Sequence, residues 1–424
     1  MVSNAAPPAS AEQHRARSRG GDTARLTGAN IEHAGQHNQR VVLHAIRVAG
    51  PATRAEIAEV TGLTPATVSN ITNRLLDEGL LERAGQRRGG RGQPATRLVI
   101  HPGGAFSIGV NIDRDHLTMV AVDFGGSVRA RVTREMSFPM PDDVRQFFRQ
   151  EVRTLLDRAG MPSHAITGIG VALPDDLGAV DLPGRPADYD RWSITDISAL
   201  FDDPFDLPVF VENDAAAAAI GEMQFGLGQH FGSFFYLLVT FGLGGGVVVN
   251  SLYDRGAAGR SGEIGFLIVD DGVGGRTQLQ NIVSLAGLYQ VFADAGLDGI
   301  GVHALDLSDP SIAAAADVWI ERAARALVQP MIALNCLLNP GAVLIGGRLP
   351  IALVEQLARR TDSLVRKEGQ HAPALAPIEM GALAEDSPAV GAALLPFGHL
   401  LLPADSPAIR QSARALPQAV PTIS

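Results

Sequence analysis

The sequence predicts an α/β protein with a winged helix-turn-helix at its N-terminal end. Residues 54–74 read as two short helices around a tight turn, and a hairpin-like segment follows them. From residue 106 to about residue 400, strand patterns and helical patterns alternate, which is typical of an α/β body. Its first three strands are predicted at Phe106–Ile112, Leu117–Asp123 and Val128–Met136. Helices are predicted at 142–159, 213–224, 281–295, 311–338 and 350–367, and Pro330 should kink or divide the long one. A length of 424 residues is sufficient for two or three domains.

Composition and the positions of Pro and Gly residues predict the domain boundaries. Residues 1–30 and 403–424 are rich in small residues and Pro without periodicity, which predicts disordered tails. We assign residues 31–101 to the winged helix-turn-helix and residues 105–402 to the α/β body. The run His101-Pro102-Gly103-Gly104 between them is interpreted as a linker.

Bulk composition excludes several classes of protein. Hydrophobic residues make up 46% of the chain and charged residues 19%, as in soluble globular proteins. No apolar run approaches the length of about 18 residues that a membrane span needs, and the N-terminus does not resemble a secretory signal. We therefore expect a cytoplasmic protein. Cys336 is the single cysteine, so we expect no disulfide and no thiolate zinc site, and a small buried side chain within a helix.

The charge is divided unevenly along the chain. The first 100 residues contain thirteen arginines and eight acidic residues, whereas the whole chain has a net charge of −10. A basic N-terminal part attached to an acidic body favours a nucleic-acid-binding module joined to a different kind of domain.

The pattern of Arg54–Arg74 is that of a helix-turn-helix. Gly62 can adopt the left-handed conformation that a tight turn between helices needs. Thr64 is suited to cap the second helix, with Pro65 in its first turn. Four apolar residues fall on the inward face of the two helices: Ile57, Leu63, Val68 and Ile71.

The outward face of the second helix is polar and predicts contacts with DNA. The predicted contact residues on this helix are Thr64, Ala66, Thr67, Ser69, Asn70, Asn73 and Arg74. At the tip of the hairpin, Arg87, Arg88 and Arg91 form a cationic segment suited to the DNA backbone or to a narrow minor groove. The alternative is a helical hairpin for protein contacts with a solvated arginine loop. The wing, the polar face and the charge asymmetry favour DNA binding.

Three motifs of the body carry a resemblance to a known family. Val211-Glu212-Asn213-Asp214 precedes an alanine-rich helix, Gly242-Leu243-Gly244-Gly245-Gly246 follows a strand, and Gly262-Glu263-Ile264-Gly265 comes after them. In this order they resemble the ROK family (repressors, open reading frames and sugar kinases) over residues 106 to 395. The resemblance implies a two-lobed actin-like ATPase fold, and the winged helix resembles that of the repressor branch.

The resemblance implies ligand-binding roles for three residues: Asn213, Asp214 and Glu263. Other positions depart from the family. Phe266 stands at the position of the sugar-contacting His, and residues 271–284, in place of the zinc loop, contain no Cys and have Gln280 at the position of a sugar-contacting Glu. No zinc and no cofactor are therefore expected. Two interpretations stay open: a pocket for a less polar sugar derivative, or a relic pocket in which Asn213 and Asp214 only cap a helix.

The phosphate motifs of the kinases are altered. The first turn reads Asn111-Ile112-Asp113-Arg114-Asp115 where the resemblance implies Asp-x-Gly-Gly-Thr, and Thr240-Phe241 replaces Gly-Thr in the second. Two acids in a phosphate turn repel ATP, and phosphoryl transfer needs positioned metal and phosphate donors. We therefore expect no catalytic residue and no enzyme activity.

The leading hypothesis is a sequence-specific DNA-binding transcriptional regulator, a repressor of carbohydrate-related genes. Its expected partners are a double-stranded DNA operator and a small sugar-type effector. A homodimer or homotetramer would bring two recognition helices to adjacent half-sites. Two alternatives stay open: a ROK sugar kinase with a DNA-binding head, supported by Asp214, and a ligand-independent DNA-binding protein.

Overall fold

The computed structural model describes residues 31–87, 95–175, 177–179, 185–202, 204–272 and 274–402. The N-terminal domain, here called the head, contains α1 (Ile31–Ala49), β1 (Ala52–Thr53), α2 (Arg54–Thr61), α3 (Pro65–Asp77), β2 (Leu81–Arg87) and β3 (Ala95–Ile100). The two predicted tails lie outside the described residues.

The body forms two lobes, as the actin-like fold requires. Its first segment contains β4 (Phe106–Ile112), β5 (His116–Asp123), β6 (Val128–Glu135), α4 (Pro141–Ala159), β7 (Ile166–Leu173) and β8 (Val209–Asn213). The second contains α5 (Asp214–Phe225), β9 (Phe234–Val239), β10 (Leu243–Val249), β11 (Leu252–Tyr253), β12 (Ile268–Asp270), β13 (Arg276–Gln278), α6 (Leu285–Asp294), α7 (Pro310–Leu338), β14 (Ala342–Gly347), α8 (Ile351–Glu368) and β15 (Ile378–Met380), and α9 (Ser387–Leu400) then returns to the first lobe.

The head is a winged helix-turn-helix, as predicted. Ile57 and Val68 are buried, while Leu63 and Ile71 are partly buried against the same core. The wing pairs β2 with β3 in antiparallel register, from Leu81 opposite Ile100, and β1 adds a short third strand.

The first lobe is built on a five-stranded sheet in the order β6-β5-β4-β7-β8. Strands β4, β7 and β8 are parallel, and β4, β5 and β6 form an antiparallel meander. Helix α9 lies directly on β4 and β7 because two glycines leave room for it. A Cβ on Gly109 would lie 1.9 Å from the carbonyl oxygen of Ala389, and one on Gly170 would lie 1.8 Å from that of Ala392.

The second lobe is built on a sheet in the order β11-β10-β9-β14-β15, in which β9, β14 and β15 are parallel. Helices α6, α7 and α8 pack on it around buried residues such as Trp319 and Leu327. The carboxyl ends of the parallel strands in both lobes, where α/β folds bind ligands, border the cleft between them.

Head and body share one hydrophobic core. Phe124, Leu394 and Phe397 of the body cluster with buried residues of α1, α2 and α3. Arg47 of α1 lies over the ring of Phe225, at the end of α5, with 4.6 Å to the ring centroid. The predicted linker is also held firmly, since His101 Nδ1 lies 2.9 Å from the carbonyl oxygen of Gly79.

The observed boundaries of the first three body strands agree with the prediction to within one residue. Three helices differ from the prediction, in where one begins, in whether one is divided and in whether one was predicted. The helix predicted over 281–295 begins only at Leu285, because Ser284 caps it by accepting a 3.1 Å hydrogen bond from the backbone of Gly287. Pro330 was expected to kink or divide the long helix. It does not divide it: α7 is continuous, with buried residues packed on both sides of the proline. Helix α9 has no counterpart among the predicted helices.

The expectation for Cys336 is half wrong. The residue lies in α7, as predicted, but its side chain is exposed. Leu337 and Leu338 beside it are also exposed, so this end of α7 projects away from the core. Among the described helices, none combines the length and the apolar character needed to cross a membrane.

Candidate functional site

The turn of the helix-turn-helix places the recognition helix α3. Gly62 has a φ of +68°, the left-handed conformation that an L-residue rarely adopts. The hydroxyl of Thr64 accepts a 3.2 Å hydrogen bond from the backbone of Thr67, and the two hydroxyls lie 2.9 Å apart. The local sequence therefore fixes both the start of α3 and its direction.

The seven predicted DNA-contacting residues of α3 all have accessible side chains. Thr64, Ala66, Asn70, Asn73 and Arg74 are exposed, and Thr67 and Ser69 are half-buried. The structure thus presents a polar surface of short side chains, of the kind that can enter a major groove.

Two of these side chains are held by neighbours that the sequence did not reveal. Arg54 of α2 donates from Nη2 to Oδ1 of Asn73 at 2.7 Å, and from Nε to the hydroxyl of Thr72 at 2.8 Å. Arg74 donates from Nε to Glu78 at 2.7 Å. These bonds orient Asn73 and Arg74 before any DNA is bound, and Arg54 belongs to the same surface.

The predicted wing residues are only partly described. Arg87 ends β2 opposite Ala95, and Arg88 and Arg91 lie outside the described residues. DNA contact by these three arginines stays a prediction.

Asn213 and Asp214 stand at the start of α5, at the end of strand β8. Oδ1 of Asn213 accepts a 3.1 Å hydrogen bond from the backbone of Ala216, and Oδ1 of Asp214 accepts one of 2.7 Å from Ala215. Burial, followed by the charge of Asp113, raises the pKa of Asp214 from 3.8 to about 7. Asn213 caps the helix, whereas Asp214 is its first residue and presents a buried carboxyl at the cleft between the lobes.

Glu263 is connected to the same cleft through Arg260. Nε of Arg260 lies 2.8 Å from Glu263 and 3.8 Å from Asp175, and the charge of Asp175 contributes to the raised pKa of Asp214. The structure therefore brings the three predicted ligand residues to one region. Asp175 was missed, although an acid just beyond a parallel strand is a recognisable signal.

The altered first phosphate turn forms ion pairs between the lobes. Asp115 accepts a 2.9 Å hydrogen bond from Arg348, which follows β14 of the second lobe, and Arg348 also pairs with Glu135. Burial raises the pKa of Asp115, but the bonds and charges of His116 and Arg348 outweigh it and hold that pKa below its usual range. The lobes are thus joined by side chains at the positions that phosphate turns occupy in the kinases.

The altered second phosphate turn also contacts the first lobe. The ring of Phe241 lies 6.1 Å from that of Phe138 in an edge-to-face arrangement. A Cβ added to the next residue, Gly242, would lie 3.6 Å from Nη1 of Arg114 and 3.8 Å from Oε1 of Gln280. Arg114 and Gln280 therefore lie close together in the cleft. The sequence analysis assigned no role to Arg114.

A cation does not suit this turn. Ligand atoms of Asp113, Asp115 and His116 lie within 4.8 Å of one another. However, Nδ1 of His116 lies 2.7 Å from Asp115, and its Nε2 lies 3.2 Å from the amide of Asn111. The guanidinium of Arg348 also binds Asp115, so Asp115 and the ring of His116 are already engaged with positive or hydrogen-bearing groups. Of the three residues, Asp113 alone keeps a buried oxygen, Oδ2, without a hydrogen-bond partner among the described residues.

Comparisons with known proteins agree with this architecture. The ROK family profile matches residues 107–397, and the MarR family profile matches residues 36–92. The chain is 28% identical over 235 residues to the xylose repressor of Bacillus spizizenii, covering 55% of this chain and 60% of the repressor. It is 29% identical over 371 residues to the uncharacterized protein y4fQ of Sinorhizobium fredii, covering 85% and 90%.

The fold has a counterpart among solved structures. A ROK family transcriptional regulator, a homologue of the Escherichia coli MLC protein, matches with a TM-score of 0.64 at 22% identity, over 90% of this chain and 98% of that one. The chain spans only about three fifths of the xylose repressor. Because the ROK profile covers more than half of the chain, the protein belongs to the ROK family, with a MarR-type head.

Proposed function

We propose that this protein is a sequence-specific DNA-binding transcriptional regulator that represses carbohydrate-related genes. The observation that carries the proposal is the exposed polar face of α3, capped by Thr64 and oriented by Arg54, on a head of the winged helix-turn-helix type. The likeness to the xylose repressor supports repression and a sugar-related target.

The regulator acts as a homodimer or homotetramer on a double-stranded operator, because two recognition helices then meet two half-sites. A small sugar-type ligand binds in the cleft near Asn213, Asp214 and Glu263. It alters DNA affinity by its differential affinity for two arrangements of the lobes.

The decisive experiment is footprinting on the DNA upstream of the protein's own gene, followed by affinity measurements with Asn70→Ala. The amide of Asn70 is exposed on α3, and loss of one base contact of this kind should weaken specific binding roughly tenfold or more. Binding to unrelated DNA should change much less.

Asn281→Ala is the matched control, since it removes an exposed amide from the body. Equal operator affinity of the two variants and the unchanged protein would refute the proposed role of α3. Sequence-blind, steeply salt-dependent binding would refute a specific regulator.

A sugar kinase is the second candidate function, and one observation favours it. Asp214 is a buried carboxyl with a pKa of about 7 at the position that the family resemblance gives to a catalytic base. Sugar-dependent ADP release that disappears in Asp214→Asn would establish it. The ion pairs of Arg348 with Asp115 and Glu135 at the phosphate positions argue for the regulator instead.

A further inference from the structure

Arg114 is a charged side chain buried without a hydrogen-bonding partner. It is only 8% exposed, and its Nε has no partner in the described part of the chain. Its ion-pair neighbour, Oδ1 of Asp113, lies 4.0 Å from Nη1, beyond hydrogen-bonding distance. Burying an unpaired guanidinium is strongly unfavourable unless something supplies an acceptor.

The guanidinium lies in the cleft at the proposed ligand site. Nη1 is the nearest atom to the position that a Cβ on Gly242 would occupy, and Oε1 of Gln280 is the next. The charge of Arg114 also acts on the carboxyl of Asp214, which follows strand β8 of the same sheet. Arg114 therefore belongs to the first altered phosphate turn, and its guanidinium lies near the second turn and near enough to the start of α5 to act on Asp214.

Two acceptors of the same turn also have unused capacity. Oδ2 of Asp113 and Oδ1 of Asn111 are buried and have no hydrogen-bond partner among the described residues. Buried polar groups are normally satisfied, so a group of three suggests a bound molecule that complements them. Such a molecule needs hydroxyls to donate to the carboxyl and amide oxygens, and an acceptor for the guanidinium.

We propose that Arg114 binds the anionic group of an acidic sugar-type ligand, a carboxylate or a phosphate, while Asp113 and Asp214 accept hydrogen bonds from its hydroxyls. The planar guanidinium presents two parallel N–H groups that match either anion. The proposal rests on the proposed function, because it names the class of ligand that binds at the same cleft.

The test is a thermal-shift screen of the full chain, followed by calorimetric titration. The probes are hexuronic acids, aldonic acids and sugar phosphates, each paired with its neutral sugar. We expect at least one acidic probe to bind, and its neutral counterpart to bind roughly tenfold more weakly or worse. Carboxylate and phosphate probes distinguish the two sources of the anion. Failure of every acidic probe to bind, or equal affinity for the neutral partners, would overturn the proposal.

Variants locate the effect. Arg114→Gln should abolish the preference for the acidic probe. Arg114→Lys should keep part of it, because lysine retains the positive charge but lacks the two parallel N–H donors of the guanidinium. Arg129→Gln, at an exposed arginine of the same lobe, is the control. An unchanged preference in Arg114→Gln contradicts the proposal.

Footprinting without ligand separates this inference from the proposed function. If the protein gives a footprint but shows no preference for acidic probes, only the inference about Arg114 is refuted. If the protein gives no footprint, the proposed regulator function is refuted.

Discussion

Asp214 is the first residue of helix α5, where its carboxyl accepts a backbone hydrogen bond, and it is almost completely buried. The bond from Ala215 stabilises its charged form, but burial dominates and its pKa rises from 3.8 to about 7. The folded protein therefore binds this proton more tightly than the unfolded chain does. Its contribution to stability is most favourable below about pH 4 and is lost as the pH rises towards 7.

This predicts that Asp214→Asn changes the pH dependence of stability. Above pH 7 the variant should be more stable than the unchanged protein, by roughly 2–4 kcal/mol, because asparagine carries no charge to bury. Near pH 4 the two should be equal. Urea denaturation from pH 4 to pH 9 measures this, with the exposed Asp317→Asn as control. Parallel pH profiles for all three proteins would show that Asp214 has an ordinary pKa.

Single residues were predictable where a local motif placed them. Asn213, Asp214 and the face of α3 follow from runs of adjacent residues, and the structure places them at the cleft and on an accessible surface. The pairing of Arg348 with Asp115 joins residues far apart in sequence, and so does the proximity of Arg114 to Gly242. No local pattern reports such contacts, because they exist only once two lobes have closed together.

At the scale of elements, the turn between α2 and α3 depends on the conformation of one residue. Gly62 has positive φ and no atom within 4 Å of an added Cβ, so a substitution there tests backbone conformation alone. Gly62→Ala should destabilise the head by about 1 kcal/mol.

Gly35 provides the matched control for this prediction. It lies within helix α1, also with no atom within 4 Å of an added Cβ and without positive φ. Gly35→Ala should therefore stabilise the protein by about 0.5–1 kcal/mol. Chemical denaturation followed by circular dichroism measures both changes. Changes of the same sign would contradict the role assigned to the turn.

The predicted and observed elements differ where tertiary packing overrides local signals. The strands of the first lobe were predictable because they are short, apolar and separated by turns. Helix α9 was missed because nearly every residue in it is buried, so it lacks the polar face that marks a surface helix. Pro330 was expected to kink or divide α7, yet α7 runs through it as a single helix, with buried residues on both sides of the proline.

At the scale of the whole molecule, two sets of contacts hold the parts together: the ion pairs of Arg348 between the lobes, and the core that α9 shares with the head. Arg348 is 7% exposed, and both of its acidic partners belong to the first lobe. Removing it leaves the largely buried carboxylate of Asp115 with His116 as its remaining described side-chain partner, and losing one partner of a buried ion pair costs more than the intact pair contributes.

Arg348→Gln should therefore lower the free energy of unfolding by roughly 2–4 kcal/mol and allow the lobes to separate more readily. Hydrogen exchange should accelerate in β5 and β14, on the two sides of the pair. Arg359→Gln, at an exposed arginine of α8, controls for loss of charge. Unchanged exchange in both strands would show that Arg348 does not hold the lobes together.

The shared core predicts that head and body lose structure together. Phe397 is fully buried, with its ring 5.1 Å from that of Phe124, in the cluster that includes α1. Phe397→Ala should cost about 3–5 kcal/mol and reduce hydrogen-exchange protection in α1 as well as in α9. Phe201→Ala, in the separate core of the first lobe, should leave α1 protected. Full protection of α1 in Phe397→Ala would mean that the head folds independently.

The position of helix α9 predicts which mutations a genetic selection would recover in a regulator of the proposed kind. It packs on α5, whose first residues border the cleft, and its side chains also enter the core of the head. A carbonyl of α5 lies so close to Gly391 that no side chain fits between them. If the protein is such a regulator, selection for alleles that no longer respond to inducer should therefore recover changes in α9 as well as in the cleft.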